Sequence, residues 1–349
     1  MSSNFKQFSK LIAAFLIISI TVLLVVLISK NDTSDQTSSQ SQSSSFVTSD
    51  DLSFDDQLSS SADNSSTSKD ESSSSSSSSQ PDIEFPSDIV DEKIKANFVA
   101  LFDINAEKFI YSRNLHKKCY PASITKLLTA LTACDYLKKN DVITVGNEID
   151  LVGEGSSLSF LKKGYKLTFD QLMDAMLLAS GNDSAYVMAV AAGRVASGKL
   201  DSDVKSAFAC FISLMNKKAV EIGCAETNFT NPDGYHDWNH YTSVYDLAII
   251  SKCALNVSLI SESAAKKISN CKLVSGEQVS WKSTNEFLND YKYATGLKTG
   301  TTNEAGFCLS ASADYQGRKL VVIIIGAEDN DKRFSYASQI FNFAYGITP

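Results

Sequence analysis

The amino-acid sequence predicts an α/β chain of the α+β kind: an antiparallel sheet flanked by helices, with a helical subdomain between the two halves of the sheet. Three observations predict it. Strand-like segments stand at both ends of residues 93–349, and helix-like segments fill the middle. The run Leu320-Val321-Val322-Ile323-Ile324-Ile325 is apolar throughout, as a central strand covered on both faces requires. Before residue 93 the composition changes to Ser, Asp, Thr and Gln, so the globular part begins late in the chain.

The N-terminal part reads as residues 1–30, a cytoplasmic tip with a transmembrane anchor. Residues 11–29 form an uncharged run of 19 residues. As a helix it would reach about 28 Å, close to the hydrocarbon thickness of a bilayer. A cleaved signal peptide ends at a small-x-small site, whereas this run ends Leu27-Ile28-Ser29-Lys30, so a retained anchor is expected. Lys6 and Lys10 precede the run and an acidic stretch follows it, which places the N-terminus in the cytoplasm and the rest outside.

Residues 31–92 carry 14 acidic residues, one basic residue (Lys69) and eight consecutive serines at 72–79. Ordering such a segment costs more than its burial returns, so it is expected to be a disordered linker. As a flexible coil it would span on the order of 45 Å and hold the globular part off the membrane.

The net charge of −8 belongs to that linker, because residues 93–349 hold 28 basic and 26 acidic residues. No concentrated basic face exists, which excludes nucleic acid as a partner. Seven cysteines are scattered without a C-x-x-C pair, so they read as buried small hydrophobes rather than a zinc or redox site, with one bridge left open.

Within residues 93–349, segments 98–104 and 108–112 read as a hairpin turned by Asn105-Ala106-Glu107. Segment 123–137 reads as a buried helix, with Pro121 before it and Leu127, Leu128, Ala130, Leu131 and Cys134 on its apolar face. Further helices are expected at 169–179, 183–196, 202–222 and 243–255. Strands at 306–313 and 319–326 and a helix at 332–345 close the chain.

Three short segments carry chemistry. In Pro121-Ala122-Ser123-Ile124-Thr125-Lys126, Ser123 and Lys126 are three apart and share a helix face. A serine hydroxyl needs a base to act as nucleophile, and a lysine serves as one only if burial or a neighbouring cation lowers its pKa. At a helix start, Ser123 also offers its backbone N–H to an oxyanion. In Ala179-Ser180-Gly181-Asn182-Asp183, glycine permits a tight turn that brings Ser180 and Asn182 to one side, or the two residues simply cap neighbouring helices. In Gly296-Leu297-Lys298-Thr299-Gly300-Thr301-Thr302, an extended backbone points Lys298 and Gly300 to one face and Thr299 to the other. Glycine allows a ligand backbone close, and lysine with threonine suits a carboxylate.

Together, S-x-x-K, S-x-N and K-T-G in this order resemble the low-molecular-mass penicillin-binding proteins, the serine D-alanyl-D-alanine carboxypeptidases. Gly155-Ser156-Ser157, Thr230-Asn231-Pro232-Asp233-Gly234-Tyr235, Tyr241-Thr242-Ser243-Val244-Tyr245-Asp246 and Lys298 through Leu309 also look like family segments. The resemblance covers residues 95–347 and implies a β-lactamase/transpeptidase-like fold, with 93–349 as the catalytic domain. It also implies the roles. Ser123 is the nucleophile that forms an acyl-enzyme, Lys126 the general base and Ser180 the proton relay. Asn182, Lys298, Thr299, Gly300 and Thr301 bind substrate. The N–H groups of Ser123 and Thr301 form the oxyanion hole. The implied partners are peptidoglycan stem peptides ending in D-Ala-D-Ala, β-lactams as covalent inhibitors, and the membrane through the N-terminal helix, with no cofactor and no metal.

Two departures stand out. Members often carry His where Asp233 stands here. Many also have a second β-rich domain and a C-terminal membrane helix, for which the residues after the closing helix leave no room, so the N-terminal run is expected to do the anchoring. Three rivals are testable against the structure. A class A β-lactamase needs a deacylating glutamate, for which Glu221 and Glu226 are present but lack the E-x-x-L-N pattern. A non-catalytic binding module would lack a motif residue, and none is missing. A metal hydrolase would have to use His116, His236 and His240.

Overall fold

The computed structural model describes residues 85–347; the apolar run at 11–29 and residues 31–84 of the acidic segment lie outside the described residues. The first elements are α1 (Ser87–Lys93), β1 (Ala96–Asp103), β2 (Lys108–Arg113) and α2 (Lys126–Cys134). The middle holds β3 (Val142–Thr144), β4 (Lys166–Thr168), α3 (Phe169–Leu177), α4 (Asn182–Ser197), α5 (Val204–Glu221), α6 (Val244–Leu255) and α7 (Ser258–Ala264). The chain closes with β5 (Ile268–Lys272), β6 (Gln278–Lys282), α8 (Phe287–Asp290), β7 (Ala294–Thr302), β8 (Gly306–Tyr315), β9 (Arg318–Ala327) and α9 (Asn330–Tyr345).

The expected antiparallel sheet has five strands in the order β2-β1-β9-β8-β7. Its central strand is β9, which pairs antiparallel with β1 on one side and β8 on the other. The apolar run in β9 explains that position. Val321, Ile323 and Ile325 belong to one core, and Leu320, Val322 and Ile324 to another, so successive side chains feed opposite faces. Burying each contributes about 1.5–3 kcal/mol. One core holds the apolar faces of α2, α3, α4 and α6, which form the helical side of the molecule. The other is closed by Val90 and Ile94 at the start and by Phe334, Ala337, Ile340 and Phe341 of α9.

Val90 and Ile94 correct the expected boundary at residue 93. Residues 87–92, read as linker, fold as α1, and both apolar side chains are fully buried. Phe85 packs at a tilt on Tyr111, 5.4 Å between ring centroids, and Arg113 bonds Asp91 and the carbonyls of Ile94 and Ala96. Two apolar residues four apart suffice for a one-sided helix on a sheet, and the acidic residues around them masked that signal.

The helix read at 123–137 also differs. It opens with a 3-10 turn at Ala122–Thr125, continues as α2 and ends at Cys134. The paired short strands β3–β4 and β5–β6 had no clear sequence pattern, being three and five residues long. Among the described residues no single helix is long and apolar enough to cross a membrane.

Candidate active site

The site forms where the 3-10 turn before α2 meets the edge strand β7. Pro121 leads into the turn with φ −75°, and Ala122 follows at φ +48°. Lys126 caps the 3-10 turn, its N–H bonding the Ser123 carbonyl, and the i to i+3 spacing of that winding sets Lys126 over Ser123. Lys126 Nζ donates to Ser123 Oγ at 2.8 Å, to Asn182 Oδ1 at 2.7 Å and to the carbonyl of Asp233 at 2.7 Å. Three acceptors match the three protons of an ammonium. Lys126 is 0% exposed. Burial pushes it down to about 8, against the pull of the Asp233 and Asp183 carboxyls. The sequence expected burial or a neighbouring cation to do this, and burial is the largest cause; Lys298 is itself lowered, by burial and then by Lys126 and Arg333.

Asn182 is positioned by the turn between α3 and α4. Its side chain accepts from Lys126 and donates to Ser156 Oγ at 2.8 Å, while its N–H binds the Ser157 carbonyl. Asp183 accepts from the N–H groups of Ser159, Leu161 and Ser184 and from Ser159 Oγ. These bonds fasten the 156–161 loop to the start of α4. Ser180 is buried in the same turn at φ +56° but stands apart from the Ser123–Lys126–Asn182 bonds.

β7 lies against the Ser123 turn because residue 300 is glycine. A Cβ there would sit 2.9 Å from Ser123 N and 3.1 Å from the Pro121 carbonyl. Lys298 is wholly buried and donates to the Thr299 carbonyl at 3.0 Å, and Thr299 Oγ1 shares a hydrogen bond with Thr284 Oγ1 at 2.8 Å. Arg333, from the first turn of α9, donates to the Gly300 carbonyl at 2.9 Å, to Thr301 Oγ1 at 3.2 Å and to the Cys308 carbonyl at 3.1 Å. Nothing in the sequence singled out Arg333, since one arginine in an amphipathic helix has no local signature.

A cleft of about 530 Å³ opens over these groups, walled by Ser123, Ser156, Asn182, His236, Thr301 and Glu304 among others. Lys298, Thr299 and Ser180 are buried and are not among the residues that wall it. The arrangement can deprotonate a buried-edge serine, place donors around an acyl oxygen and set cationic groups behind an anionic end of a ligand.

Glu221 bonds Lys218 at the end of α5, and Glu226 pairs with His116; neither walls the cleft. His236 faces Glu304 at 3.6 Å, whereas His240 is buried, bonded to Thr125 Oγ1 and the Thr230 N–H, and pushed down to about 3 by burial. Among the described residues no group of three or more His, Cys, Asp or Glu is placed to hold a metal ion. All seven cysteines are free; Cys119, Cys224 and Cys308 are fully buried, and burial raises their thiols.

Comparison with known proteins places this geometry among relatives. The profile described as D-alanyl-D-alanine carboxypeptidase matches residues 85–329. The D-alanyl-D-alanine carboxypeptidase DacF of Bacillus subtilis is 29% identical over 254 residues, which is 72% of this chain and 62% of that protein. DacC of Escherichia coli, of the same description, is 27% identical over 289 residues, 78% of this chain and 66% of that protein. The chain thus spans just under two thirds of the length of these two relatives. The crystal structure of a Streptomyces DD-transpeptidase superposes with a TM-score of 0.68 at 26% identity, covering 72% of this chain and 98% of that one.

Proposed function

Because the chain belongs to the D-alanyl-D-alanine carboxypeptidase family, we propose that it is a serine-type D-alanyl-D-alanine carboxypeptidase that trims peptidoglycan stem pentapeptides. One observation carries this reading: Lys126, buried and pushed down to about 8, donates to Ser123 Oγ at 2.8 Å. A lysine in that state is neutral often enough near pH 7 to accept the serine proton.

In the proposed mechanism Lys126 takes the Ser123 proton as Oγ attacks the carbonyl of the penultimate D-alanine. The tetrahedral oxyanion is held by the backbone N–H groups of Ser123 and Thr301. Ser180 relays a proton to the departing D-alanine nitrogen, the C–N bond breaks, and an acyl-enzyme remains on Ser123. Asn182 orients the peptide and keeps Lys126 in place. Lys298 and Thr299 supply the field and the hydroxyl for the terminal carboxylate, and Gly300 lets the peptide lie along the edge of β7. Water, with Lys126 as base, then hydrolyses the ester. A β-lactam acylates Ser123 by the same steps.

The acyl-enzyme has a second possible acceptor, an amine. The Streptomyces structure of similar fold is named a DD-transpeptidase. Transfer is therefore a second reading, separated by offering a pentapeptide with and without an amine acceptor and counting free acid against amide product.

We further propose that residues 11–29 anchor the chain in the cell membrane with the catalytic domain outside, the acidic linker holding it away from the bilayer. Release of free D-alanine from a stem pentapeptide, lost in Ser123→Ala, tests the activity. Membrane association lost on removal of residues 1–30 tests the anchor.

A further inference from the structure

Asp233 is wholly buried, yet its Oδ2 has no hydrogen-bond partner and its Oδ1 accepts only the Tyr235 N–H, at 3.2 Å. A buried carboxyl left so poorly solvated is expensive. Its loop is nonetheless pinned in place. Thr129 Oγ1 donates to the Pro232 carbonyl, Asn231 bonds Gly234 N and the Tyr235 carbonyl, and Gly234 at φ +82° packs so tightly that a Cβ would lie 1.8 Å from the Ala122 carbonyl. The loop therefore rests on the nucleophile turn. The Asp233 carbonyl accepts from Lys126 Nζ at 2.7 Å and from Ser123 Oγ at 3.4 Å, with the carboxyl on the same residue.

Few charged and titratable groups answer to this carboxyl. Lys126 of α2 and Tyr186 of α4 face it, whereas Asp183 of α4 acts on Lys126, and Lys298 of β7 feels Lys126 and Arg333 of α9. Tyr235, His236 and His240 share its own loop, and His240 is neutral. Asp183 also pulls Lys126 toward its charged form, but four donors already satisfy it. Asp233 has one such donor, so Lys126 is the cation its charge answers to.

We propose that Asp233 is a positioning residue: its buried carboxylate holds the proton on Lys126 in the resting enzyme and so decides how readily Lys126 becomes a base. The proposal rests on the reading of Lys126 as base for Ser123. It makes the loop carbonyl a geometric guide for Lys126 and the side chain an electrostatic brake on it. Burial raises the carboxyl of Asp233 and Lys126 opposes that rise, as two members of one weakly solvated pair do.

The test is the pH profile of Ser123 acylation by a fluorescent penicillin, in the full chain, for wild type, Asp233→Asn and Asp233→Glu. With the carboxylate gone, Lys126 loses its proton at lower pH. The ascending limb of Asp233→Asn moves down by about one unit, which makes acylation about tenfold faster at a pH below both limbs. Asp233→Glu returns the limb toward wild type. An unmoved limb overturns the proposal, as does a rate that falls at every pH by one factor, since that is a packing role only. If Asp233→Asn does not fold, Asp233→Ser takes its place with the same two readings. If the wild type is not acylated at any pH, the proposed function falls and this proposal with it, whereas acylation with an unmoved limb sinks the role of Asp233 alone.

Discussion

Lys126 Nζ lies 2.8 Å from Ser123 Oγ although Ser123 sits on a 3-10 turn and Lys126 opens the α-helix that follows it. The tighter winding matters: it eclipses positions i and i+3 and brings a long side chain back over a short one.

From that pair follows a pH dependence. With Lys126 at about 8, the neutral base fraction falls about tenfold for each unit of pH below that value. Acylation of the wild type by penicillin therefore rises through neutral pH and levels off above about 8. Stopped-flow or gel-based labelling rates across pH 5.5–10 check it. Lys126→Met flattens the limb and lowers the rate by about 10²–10⁴, the range general base catalysis contributes.

The same residue predicts a stability change. Its folded pKa is below the ordinary lysine value of 10.5, so between about 8 and 10.5 the unfolded chain binds a proton the folded chain has shed. Stability from this group rises with pH across that window and is lowest below 8. The wild type gains on the order of 3 kcal/mol relative to Lys126→Met between pH 7 and pH 10.5. Urea melts of both proteins at these pH values measure the difference.

Gly300→Ala introduces a Cβ 2.9 Å from Ser123 N and 3.0 Å from Ala122 Cβ. Strand or turn must shift by a few tenths of an ångström, which moves the proposed nucleophile and oxyanion donors together. Acylation falls by about 10² while the thermal midpoint moves only a few degrees. Equal losses of activity and folding would show that Gly300 acts through stability alone.

Thr299→Val removes a hydroxyl that bonds Thr284 and that the proposed mechanism assigns to the terminal carboxylate. A hydrogen bond to a charged partner contributes about 1.5–3 kcal/mol, so kcat/KM for a pentapeptide falls about 10- to 150-fold. An uncharged ester substrate loses much less, and comparing the two substrates is the check.

Glu221 and Glu226 are engaged by Lys218 and His116, away from the cleft. Penicillin hydrolysis is therefore slow after a stoichiometric burst, and chelators leave the burst unchanged. Steady turnover at many per second would instead identify a β-lactamase.

Much of this was legible in the sequence because the signals are local. The apolar run 320–325 marks a central strand, and the Ser123–Lys126 spacing survives any helical winding. Where contacts are distant, the sequence was silent. Arg333 reaches Gly300 from 33 positions away, and the Asp233 carbonyl finds Lys126 across 107, neither of which leaves a periodic trace. α1 was missed because two apolar residues carry its burial within an acidic context. β3 was missed because three residues are too few to show alternation.

The pairing of β1 with β9 sets Val99 opposite Ile324. A chain emerging N-terminus first makes the β1–β2 hairpin early and must then wait for nearly all the rest before the inner edge of β1 finds its neighbour. Until then that edge is open to pairing with other chains. The Ser123 turn likewise lacks its β7 wall until residue 300 has arrived. A chain arrested before residue 300 carries the whole Ser123–Lys126 motif without that wall, and under the proposed mechanism it is expected to remain unlabelled by penicillin.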